Sequence, residues 1–197
     1  NGQSALLQAV KSSVEKTYKS YMRADGQVLV ISFTDGIVFE LLPAFINTNN
    51  SYTYPDTNNG GNWKNTNPRP EIKEISDKNI LWNNNLKKLC RMIRAWKYKW
   101  DVPLGGLLID TLCYNFLSQS EYKAKSYLYY DYITRDFFKY ISEIDPNKEY
   151  WLSPGARQYV WKKGNLQYKA KQCYNLALEA ISKETDYPFT AKTKWRD

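Results

Sequence analysis

Two apolar, β-rich runs near the start of the chain constrain the fold more than any other feature. They are QVLVISF at 27–33 and IVFELLPAF at 37–45. The pair Asp35-Gly36 between them favours a β-hairpin with a type I′ turn, in which both central residues have positive φ. The sequence therefore predicts two adjacent antiparallel strands. Because both runs are apolar at nearly every residue, it also predicts that both faces of this hairpin are covered.

Helical spacing dominates most of the remaining chain. Residues 3–22 carry apolar side chains three and four positions apart, which predicts one helix before the hairpin. Residues 47–70 are rich in Asn, Gly, Pro and Thr, a composition typical of a long loop that is either functional or disordered. From residue 71 onward the apolar spacing is that of helices, interrupted by a predicted loop at 153–164. Asn165 is placed to cap a final helix.

These patterns predict an α+β protein in two parts, with mixed structure at residues 1–70 and a helical domain at residues 71–197. No apolar run reaches the roughly 18 residues that indicate a transmembrane helix, so we expect no membrane span. The start of the sequence has no signal-peptide pattern. Cys90, Cys113 and Cys173 lie far apart in apolar helical contexts. They predict buried thiols and a cytoplasmic location rather than a disulfide framework.

The chain contains no histidine. This excludes a Ser-His-Asp triad, a Cys-His dyad and a His-ligated zinc site built from this chain alone. The chemistry left to it uses carboxylates, lysines, arginines, tyrosines and hard metals such as magnesium. The formal charge of +8 favours an anionic partner, such as nucleotide, nucleic acid or an acidic surface, although solubility alone would explain it equally well.

Glu40 is a carboxylate in the middle of the apolar run at 37–45. An unpaired buried charge costs free energy, so its presence there needs a reason. One interpretation is an edge strand on which Glu40 faces solvent. The other is a carboxylate at a strand end that binds a metal ion. The residues alone leave both interpretations open.

A basic stripe lies on the predicted helix LKKLCRMIRAWKYKW. Lys87, Arg91 and Arg94 recur at spacings of four and three, and Lys97 lies near the next turn. Such a stripe suits a polyphosphate, because arginine binds phosphate oxygens bidentately and lysine adds charge, although a solvated helix face has the same pattern. Asp110, on the following apolar helix, is expected either to pair with an arginine of this helix or to orient phosphate-binding residues.

Taken in order, these segments resemble a known family. The pattern consists of LLPAF after Glu40, an Asn/Gly-rich loop ending in NW..TNPRPE, then L..LCRMIRAWKY, VPLGGLLIDTL and a terminal KWR. It is similar to that of the bacterial cyclic-oligonucleotide synthases called CD-NTases. These are relatives of cyclic GMP-AMP synthase and oligoadenylate synthase in the polymerase-β-like nucleotidyltransferase superfamily. The resemblance spans nearly the whole chain and depends on order and spacing rather than on one motif.

The resemblance implies part of a nucleotidyltransferase sheet, a β-hairpin plus a helix, packed on a mostly helical C-terminal bundle. In the complete enzyme it implies two Mg²⁺ ions held by three carboxylates, with Glu40 at the third position, where the family usually has Asp. A hydroxyl would then displace pyrophosphate from ATP, GTP or another nucleoside triphosphate. In bacteria the cyclic product signals phage infection to an effector.

The resemblance also assigns candidate nucleotide-binding residues. Arg94 lies where the family usually has a lysine that contacts the triphosphate, so Arg91, Arg94 and Lys97 are the expected phosphate-binding set. Tyr54 or Trp63, in the predicted long loop, would stack on a base.

Three features of the chain depart from the family pattern. The third carboxylate is Glu; a Ser-Tyr pair common at the start of the buried helix is replaced by Gly106-Leu107; and no Gly-Ser motif followed by Asp-x-Asp is found. We therefore expect the chain to be the larger C-terminal part of such an enzyme, inactive without an N-terminal part of the same protein. The alternatives are a non-catalytic fragment or degenerate relative that binds nucleotide or RNA, and a superfamily nucleotidyltransferase that acts on RNA or protein.

Overall fold

A computed structural model describes residues 2–196 of the chain. The chain divides between Pro68 and Arg69 into two compact units, called unit 1 and unit 2 below. The described part of unit 1 contains one α-helix, a short 3-10 turn at Asn58–Gly60 and two antiparallel sheets with strand orders β1-β2-β3 and β4-β5-β6. Its elements are α1 (Gly2–Val14), β1 (Tyr21–Asp25), β2 (Val28–Ser32), β3 (Val38–Leu41), β4 (Phe45–Ile46), β5 (Tyr52–Asp56) and β6 (Asn62–Thr66).

The hairpin predicted around Asp35-Gly36 is confirmed. Strands β2 and β3 pair antiparallel, with Ser32 opposite Val38. The turn is not type I′, however, because Gly36 has a φ of 86° whereas Asp35 has no positive φ. The Asp35 carboxylate instead accepts a hydrogen bond from the backbone N–H of Ile37 at 3.0 Å, which stabilises a longer turn.

The single helix predicted over residues 3–22 is wrong at its C-terminal end. Helix α1 ends at Val14, and Tyr21–Asp25 forms strand β1 against β2. The reason is tertiary: Met22 is 5% exposed and packs with Leu29 and Ile31 in a small apolar cluster, and strand geometry directs it there.

The long loop predicted at 47–70 is also wrong, since β5 and β6 form a second hairpin within it. Three consecutive residues with positive φ, Asn59, Gly60 and Gly61, reverse the chain between these strands. Asn and Gly adopt this conformation at low cost, so the composition indicated a turn rather than an unstructured loop.

Strand β3 departs from the expectation that both faces of the first hairpin are covered. Strand β2 is largely buried, but all four β3 residues are exposed, including Val38 and Phe39 at 57% each. Within the described residues β3 is an edge strand with apolar side chains on both faces.

Unit 2 is a helical bundle with one short β-hairpin. Its elements are α2 (Arg69–Leu81), α3 (Asn85–Lys99), α4 (Gly106–Gln119), α5 (Tyr130–Ser142), β7 (Tyr150–Leu152), β8 (Tyr159–Trp161), α6 (Gln167–Ser182) and α7 (Pro188–Arg196). The apolar face predicted for α3 is buried, with Leu86, Leu89 and Ile93 inaccessible to solvent. Helix α4 is buried on most sides, as its nearly continuous apolar sequence predicts.

The loop predicted at 153–164 is wrong in part, because strand β8 lies within it and pairs with β7. Trp151 and Val160, paired across the hairpin, are 4% and 7% exposed and belong to the core of unit 2. Asn165 lies one residue before the N-cap of α6, which is Leu166, and its side chain accepts a hydrogen bond from the backbone N–H of Tyr168 at 3.1 Å.

The predicted state of the cysteines is confirmed: all three are free and buried. None of the helices between residues 2 and 196 has the length and apolar character that a bilayer crossing requires.

Candidate functional site

Arg94 and Asp110 form an ion pair between α3 and α4 in unit 2. The Arg94 Nη2 atom lies 2.8 Å from each Asp110 carboxylate oxygen, and Nη1 donates to the Cys90 carbonyl oxygen at 3.2 Å. The side chains are 38% and 30% exposed, so the pair lies at the edge of the core. Pairing with an arginine of the preceding helix, the first expectation for Asp110, is confirmed. Because a guanidinium carries five N–H donors, Arg94 has further N–H groups that these contacts do not use.

The N-terminus of α4 lies beside this guanidinium. Gly105 is the N-cap residue, and no side chain in the described part of the chain caps this helix end. A Cβ atom placed on Gly106 would lie 4.0 Å from Arg94 Nη2. The first backbone N–H groups of a helix have no partner within the helix, and the helix dipole is positive at this end. Together the arginine and the helix end form an environment suited to an anion.

Glu71 adds a third charge to this group. Its carboxylate accepts a hydrogen bond from Ser153, in the turn of the β7–β8 hairpin. Burial and the negative charge of Asp110 raise the pKa of Glu71, and the Ser153 hydrogen bond opposes the rise only in part. For Arg94, burial acts to lower the pKa, but the hydrogen bond and charge of Asp110 outweigh it and the pKa is raised. Arg94 therefore stays charged.

Helix α2 is fixed against its neighbours by two further contacts. The Tyr114 hydroxyl donates to Glu74 at 2.5 Å; burial, together with this hydrogen bond and the Glu74 charge, raises the pKa of Tyr114 to about 12. Gly155, with a φ of 68°, lies so near the start of α2 that a Cβ atom there would be 2.3 Å from the Pro70 carbonyl oxygen. These contacts hold Glu71 in place.

The other members of the predicted phosphate-binding set differ from Arg94 in their surroundings. Arg91 is exposed about one turn earlier on α3. Lys97 is half-buried, with Nζ 5.2 Å from the centre of the Tyr98 ring. Among residues 2–196, Arg94 is the only member of this set with a described ion pair, which it forms with Asp110.

Glu40 lies on the exposed edge strand β3 of unit 1. It is opposite Val30, which in turn is opposite Arg23, so the three side chains form a row across the sheet. Because side chains alternate along a strand, this row lies on the face opposite the cluster that contains Met22 and Ile31. Its role as a metal ligand stays a prediction.

Tyr54 and Trp63 lie on opposite faces of the β5–β6 hairpin. Tyr54 is opposite Lys64, whereas Trp63 is opposite Pro55, one position along. The Trp63 ring packs 5.9 Å from the ring of Phe45, at 38% exposure. These two aromatic residues cannot both stack on the same base from these positions.

Among residues 2–196, no group of three or more His, Cys, Asp or Glu side chains is arranged to hold a metal ion. The described residues therefore do not fit a two-magnesium site on their own. Glu40 supplies one carboxylate, and an oxygen-ligand magnesium site that activates phosphate needs more.

Sequence reasoning did not find Glu71 and Ser153. They lie on different elements far apart in sequence, and neither belongs to a periodic basic or apolar pattern. The one sequence signal for Glu71 is its position in PRPE, at the start of α2, because a carboxylate is favourable at a helix N-terminus.

Comparison with known proteins relates the chain to second-messenger synthases. Residues 1–79 match the SMODS family, described as the Second Messenger Oligonucleotide or Dinucleotide Synthetase domain. The chain is 26% identical over 155 residues to a probable cyclic nucleotide synthase of Bacillus cereus, covering 74% of this chain and 45% of that protein.

The fold is similar to those of solved synthases. A crystal structure of Vibrio cholerae DncV cyclic AMP-GMP synthase with nonhydrolyzable GTP matches 94% of this chain and 54% of that chain, with a TM-score of 0.68 and 18% identity. The Elizabethkingia meningoseptica CdnE cyclic dinucleotide synthase, solved with GTP and Apcpp, matches 88% of this chain and 70% of that chain, at a TM-score of 0.58 and 10% identity.

A structure of the E. coli MS115-1 CdnC:HORMA-deltaN complex matches 98% of this chain and 70% of that chain, at a TM-score of 0.65 and 13% identity. The predicted resemblance and α+β fold class are confirmed. The chain spans about half the length of the Bacillus cereus relative and of DncV.

Proposed function

We propose that this chain, a CD-NTase-like protein, binds the triphosphate of a nucleoside triphosphate through Arg94 and the N-terminus of α4. The observation that carries the proposal is the guanidinium of Arg94, held by Asp110 at 2.8 Å beside the uncapped helix end at Gly106. Solved relatives with this fold contain GTP or ATP, which supports nucleotide as the ligand.

Asp110 positions Arg94 and does not take up all of its donors. Only Nη2 contacts the carboxylate, while Nη1 donates to a backbone carbonyl. An incoming phosphate can use remaining N–H groups of the guanidinium together with backbone N–H groups of α4. Such charge-assisted hydrogen bonds are among the stronger polar contacts in proteins.

The remaining predicted residues have secondary roles in this proposal. Arg91 and Lys97, on the same helix as Arg94, extend the positive charge for a polyphosphate. Base stacking by Tyr54 or Trp63, in unit 1, stays a prediction from the family resemblance. Glu40 contributes one carboxylate toward Mg²⁺ in the complete protein, where the other ligands would have to come from residues that this chain does not supply.

For the complete protein, we propose synthesis of a cyclic oligonucleotide from nucleoside triphosphates, as a second messenger in the bacterial response to phage. The SMODS match over residues 1–79 and the similarity to a probable cyclic nucleotide synthase support this activity. The phage response follows from the family resemblance alone. Because the chain spans about half the length of that relative, the reaction belongs to the complete protein.

The experiment measures binding of a fluorescent GTP or ATP analogue to the purified chain. Arg94→Ala is expected to weaken binding by one to two powers of ten, because a charge-assisted hydrogen bond contributes about 1.5–3 kcal/mol. Arg94→Lys should recover only part of the loss, since lysine keeps the charge and loses the planar fork. Circular dichroism verifies that each variant is folded.

Arg135 provides a matched control. It too is a partly buried arginine in contact with an aspartate, Asp136, at 2.7 Å, but on helix α5. Arg135→Ala should bind nucleotide nearly as the wild type does. Equal losses in both variants would indicate a diffuse positive field and favour RNA as the ligand. Unchanged binding in folded Arg94→Ala would remove the proposed site.

A further inference from the structure

Four lysines from three segments of unit 2 lie around the N-terminal end of α3. They are Lys78 near the end of α2, Lys88 in the first turn of α3, and Lys123 and Lys125 in the loop that follows α4. These four residues are called the lysine surface below. Lys88 and Lys125 are exposed, whereas Lys78 and Lys123 are partly buried.

Asn85 joins the loop after α4 to helix α3. It is 1% exposed, and its Nδ2 donates to the backbone carbonyl oxygens of Lys123 at 3.0 Å and Lys125 at 2.8 Å. The Tyr130 hydroxyl donates to Asn85 Oδ1 at 3.1 Å, and Lys88 Nζ lies 5.6 Å from the centre of the Tyr130 ring. These contacts hold three of the lysines around one buried side chain.

The fourth lysine is brought to the same place by a cleft of about 430 Å³, which Lys78 and Lys123 both line. Trp82 and Tyr114, with ring centres 5.5 Å apart, form its aromatic part. None of the described lining residues is acidic. Lys123 Nζ donates to the Ser118 carbonyl oxygen at 3.2 Å, and an ammonium has three N–H donors, so others remain for a ligand.

The positive charge of the lysine surface is not balanced by ion pairs. In the described part of the chain, none of its four lysines is in an ion pair. Helix α3 has no Asp or Glu in its sequence. Glu121 and Asp131 border the loop, and Asp77, next to Lys78, is paired with Lys73. Four cations against two neighbouring carboxylates leave a net positive charge, which attracts an anion.

An exposed aromatic ring lies next to this charge. Tyr127, two residues after Lys125, is 72% exposed, and no ring contact of Tyr127 is described between residues 2 and 196. Tyr129, by contrast, stacks on Tyr122 with ring centres 5.5 Å apart, and Lys125 Nζ lies 5.8 Å from the centre of the Tyr129 ring. Tyr127 therefore presents a planar surface to a ligand beside a cation.

We propose that the lysine surface and Tyr127 bind single-stranded nucleic acid. The lysines contact successive backbone phosphates as point charges. The Tyr127 ring stacks on a base, an interaction that every base can make once it is unstacked from its neighbours. Several separate cations suit a chain of phosphates better than one anionic group. The exposed ring favours a single strand over a duplex, whose bases are already stacked.

The lysine surface is separate from the proposed nucleotide site. Arg94 contacts Asp110 on α4, whereas Lys88 lies over Tyr130 on α5. Six residues of helix separate Lys88 from Arg94, which is about 9 Å along the axis and about 120° around it. Arg94→Ala should leave binding of an oligonucleotide unchanged, and substitutions in the lysine surface should leave binding of the GTP analogue unchanged. The two proposals can therefore fail independently.

The probe for the test is a fluorescein-labelled oligouridine of 12 nucleotides, and its binding to the purified full chain is measured by fluorescence anisotropy over a series of KCl concentrations. For a single strand, the logarithm of the association constant falls with the logarithm of the salt concentration by about 0.7 per phosphate contact. Lys88→Ala and Lys125→Ala should each weaken binding and reduce this slope by about 0.7, and the double variant should reduce it by about 1.4.

Lys171 is the matched control for Lys88. It is also an exposed lysine over a tyrosine ring, with Nζ 5.2 Å from the centre of the Tyr174 ring, but it lies on α6. Lys171→Ala should have the affinity and the salt slope of the wild type. Equal slope changes in Lys88→Ala and Lys171→Ala would overturn the proposed site, because they would indicate a diffuse positive field.

The stacking contact is tested separately from charge. Tyr127→Ala should weaken oligouridine binding by about fivefold or more with the salt slope unchanged, whereas Tyr127→Phe keeps the ring and should bind as wild type. Circular dichroism verifies the fold of each variant, and the substituted positions at 88, 125 and 127 are all exposed. Unchanged binding by folded Tyr127→Ala would contradict stacking.

Two competitors test the class of ligand. A 12-base-pair RNA duplex and polyglutamate should each displace the labelled oligouridine at least tenfold less effectively than unlabelled oligouridine does. Equal displacement by the duplex would overturn the assignment to a single strand. Equal displacement by polyglutamate would identify an acidic peptide as an equivalent ligand and overturn the assignment to nucleic acid, as would the absence of oligouridine binding by the wild-type chain at low salt.

Discussion

The carboxylate of Asp110 holds the guanidinium of Arg94 at 2.8 Å across two consecutive helices, next to the exposed N–H end of the second helix. Removing the carboxylate leaves a partly buried cation without its partner. We expect Asp110→Ala to lower the free energy of unfolding by about 1 kcal/mol, a modest value because both side chains are about one-third exposed. Urea denaturation measures the change.

The exposed pair Lys73 and Asp77 on α2 provides the comparison, since both of its side chains are more than half exposed. Asp77→Ala should change the free energy of unfolding by only a few tenths of a kcal/mol. If Asp110→Ala lowers the free energy of unfolding no more than Asp77→Ala does, the Arg94–Asp110 pair stabilises the protein no more than an exposed ion pair.

Gly106→Ser is expected to strengthen nucleotide binding. A Cβ atom at this position would be 4.0 Å from Arg94 Nη2, an ordinary contact, so the serine can be accommodated. Its hydroxyl would add a hydrogen-bond donor beside the guanidinium, at the position where the related family usually has serine. One added hydrogen bond contributes about 0.5–1.5 kcal/mol, or roughly twofold to tenfold in affinity.

The fluorescent-nucleotide titration that tests Arg94 measures this effect as well. Gly105→Ser is a useful comparison, because nothing lies within 4 Å of a Cβ atom at Gly105 and a serine there would act as a helix cap. Weaker binding by folded Gly106→Ser would contradict the proposed position of the phosphate.

Gly155→Ala should destabilise the protein more than Gly36→Ala does. Both glycines have positive φ, which costs an alanine about 1–2 kcal/mol. At Gly155 the new methyl group would also meet the Pro70 carbonyl oxygen at 2.3 Å, whereas at Gly36 it would meet nothing within 4 Å. The free energies of unfolding of the two variants, from urea denaturation, give the comparison. Equal losses would mean that the close approach to α2 is relieved without cost.

Asp56 makes the stability of unit 1 dependent on acid pH. The Asp56 carboxylate accepts hydrogen bonds from the Lys64 ammonium, from the backbone N–H of Asn58 and from the Gln27 side chain. These hydrogen bonds lower the pKa of Asp56 from 3.8 to about 2. Because the folded-state pKa lies below the unfolded value, the folded protein binds fewer protons. The stabilisation is therefore fully present above about pH 4 and is lost as the pH falls through about 2.

This dependence is measured as the urea concentration at the midpoint of unfolding, at a series of pH values between 5 and 2. The midpoint of the wild-type protein should fall over this range more steeply than that of Asp56→Asn, which has no carboxylate to protonate at this position. Parallel curves for the two proteins would contradict the role of Asp56.

Features that depend on local patterns can be predicted from the amino-acid sequence. The apolar runs around Asp35-Gly36 identified the hairpin, and three-and-four spacing identified the buried face of α3 with Leu89 and Ile93, because strand and helix periodicity are properties of neighbouring residues. The order of the segments also identified the related family. Asp110 was expected to meet an arginine, since consecutive helices commonly pack together.

Which residues distant in sequence contact one another depends on tertiary packing. Tyr21 to Asp25 continued a helical spacing, yet they form a strand, because burying Met22 against Leu29 outweighs the local preference. Ser153 donates to Glu71 only because the β7–β8 turn closes on α2, where Gly155 leaves no room for a side chain. Contacts of this kind depend on packing between elements distant in sequence, and no local pattern encodes them.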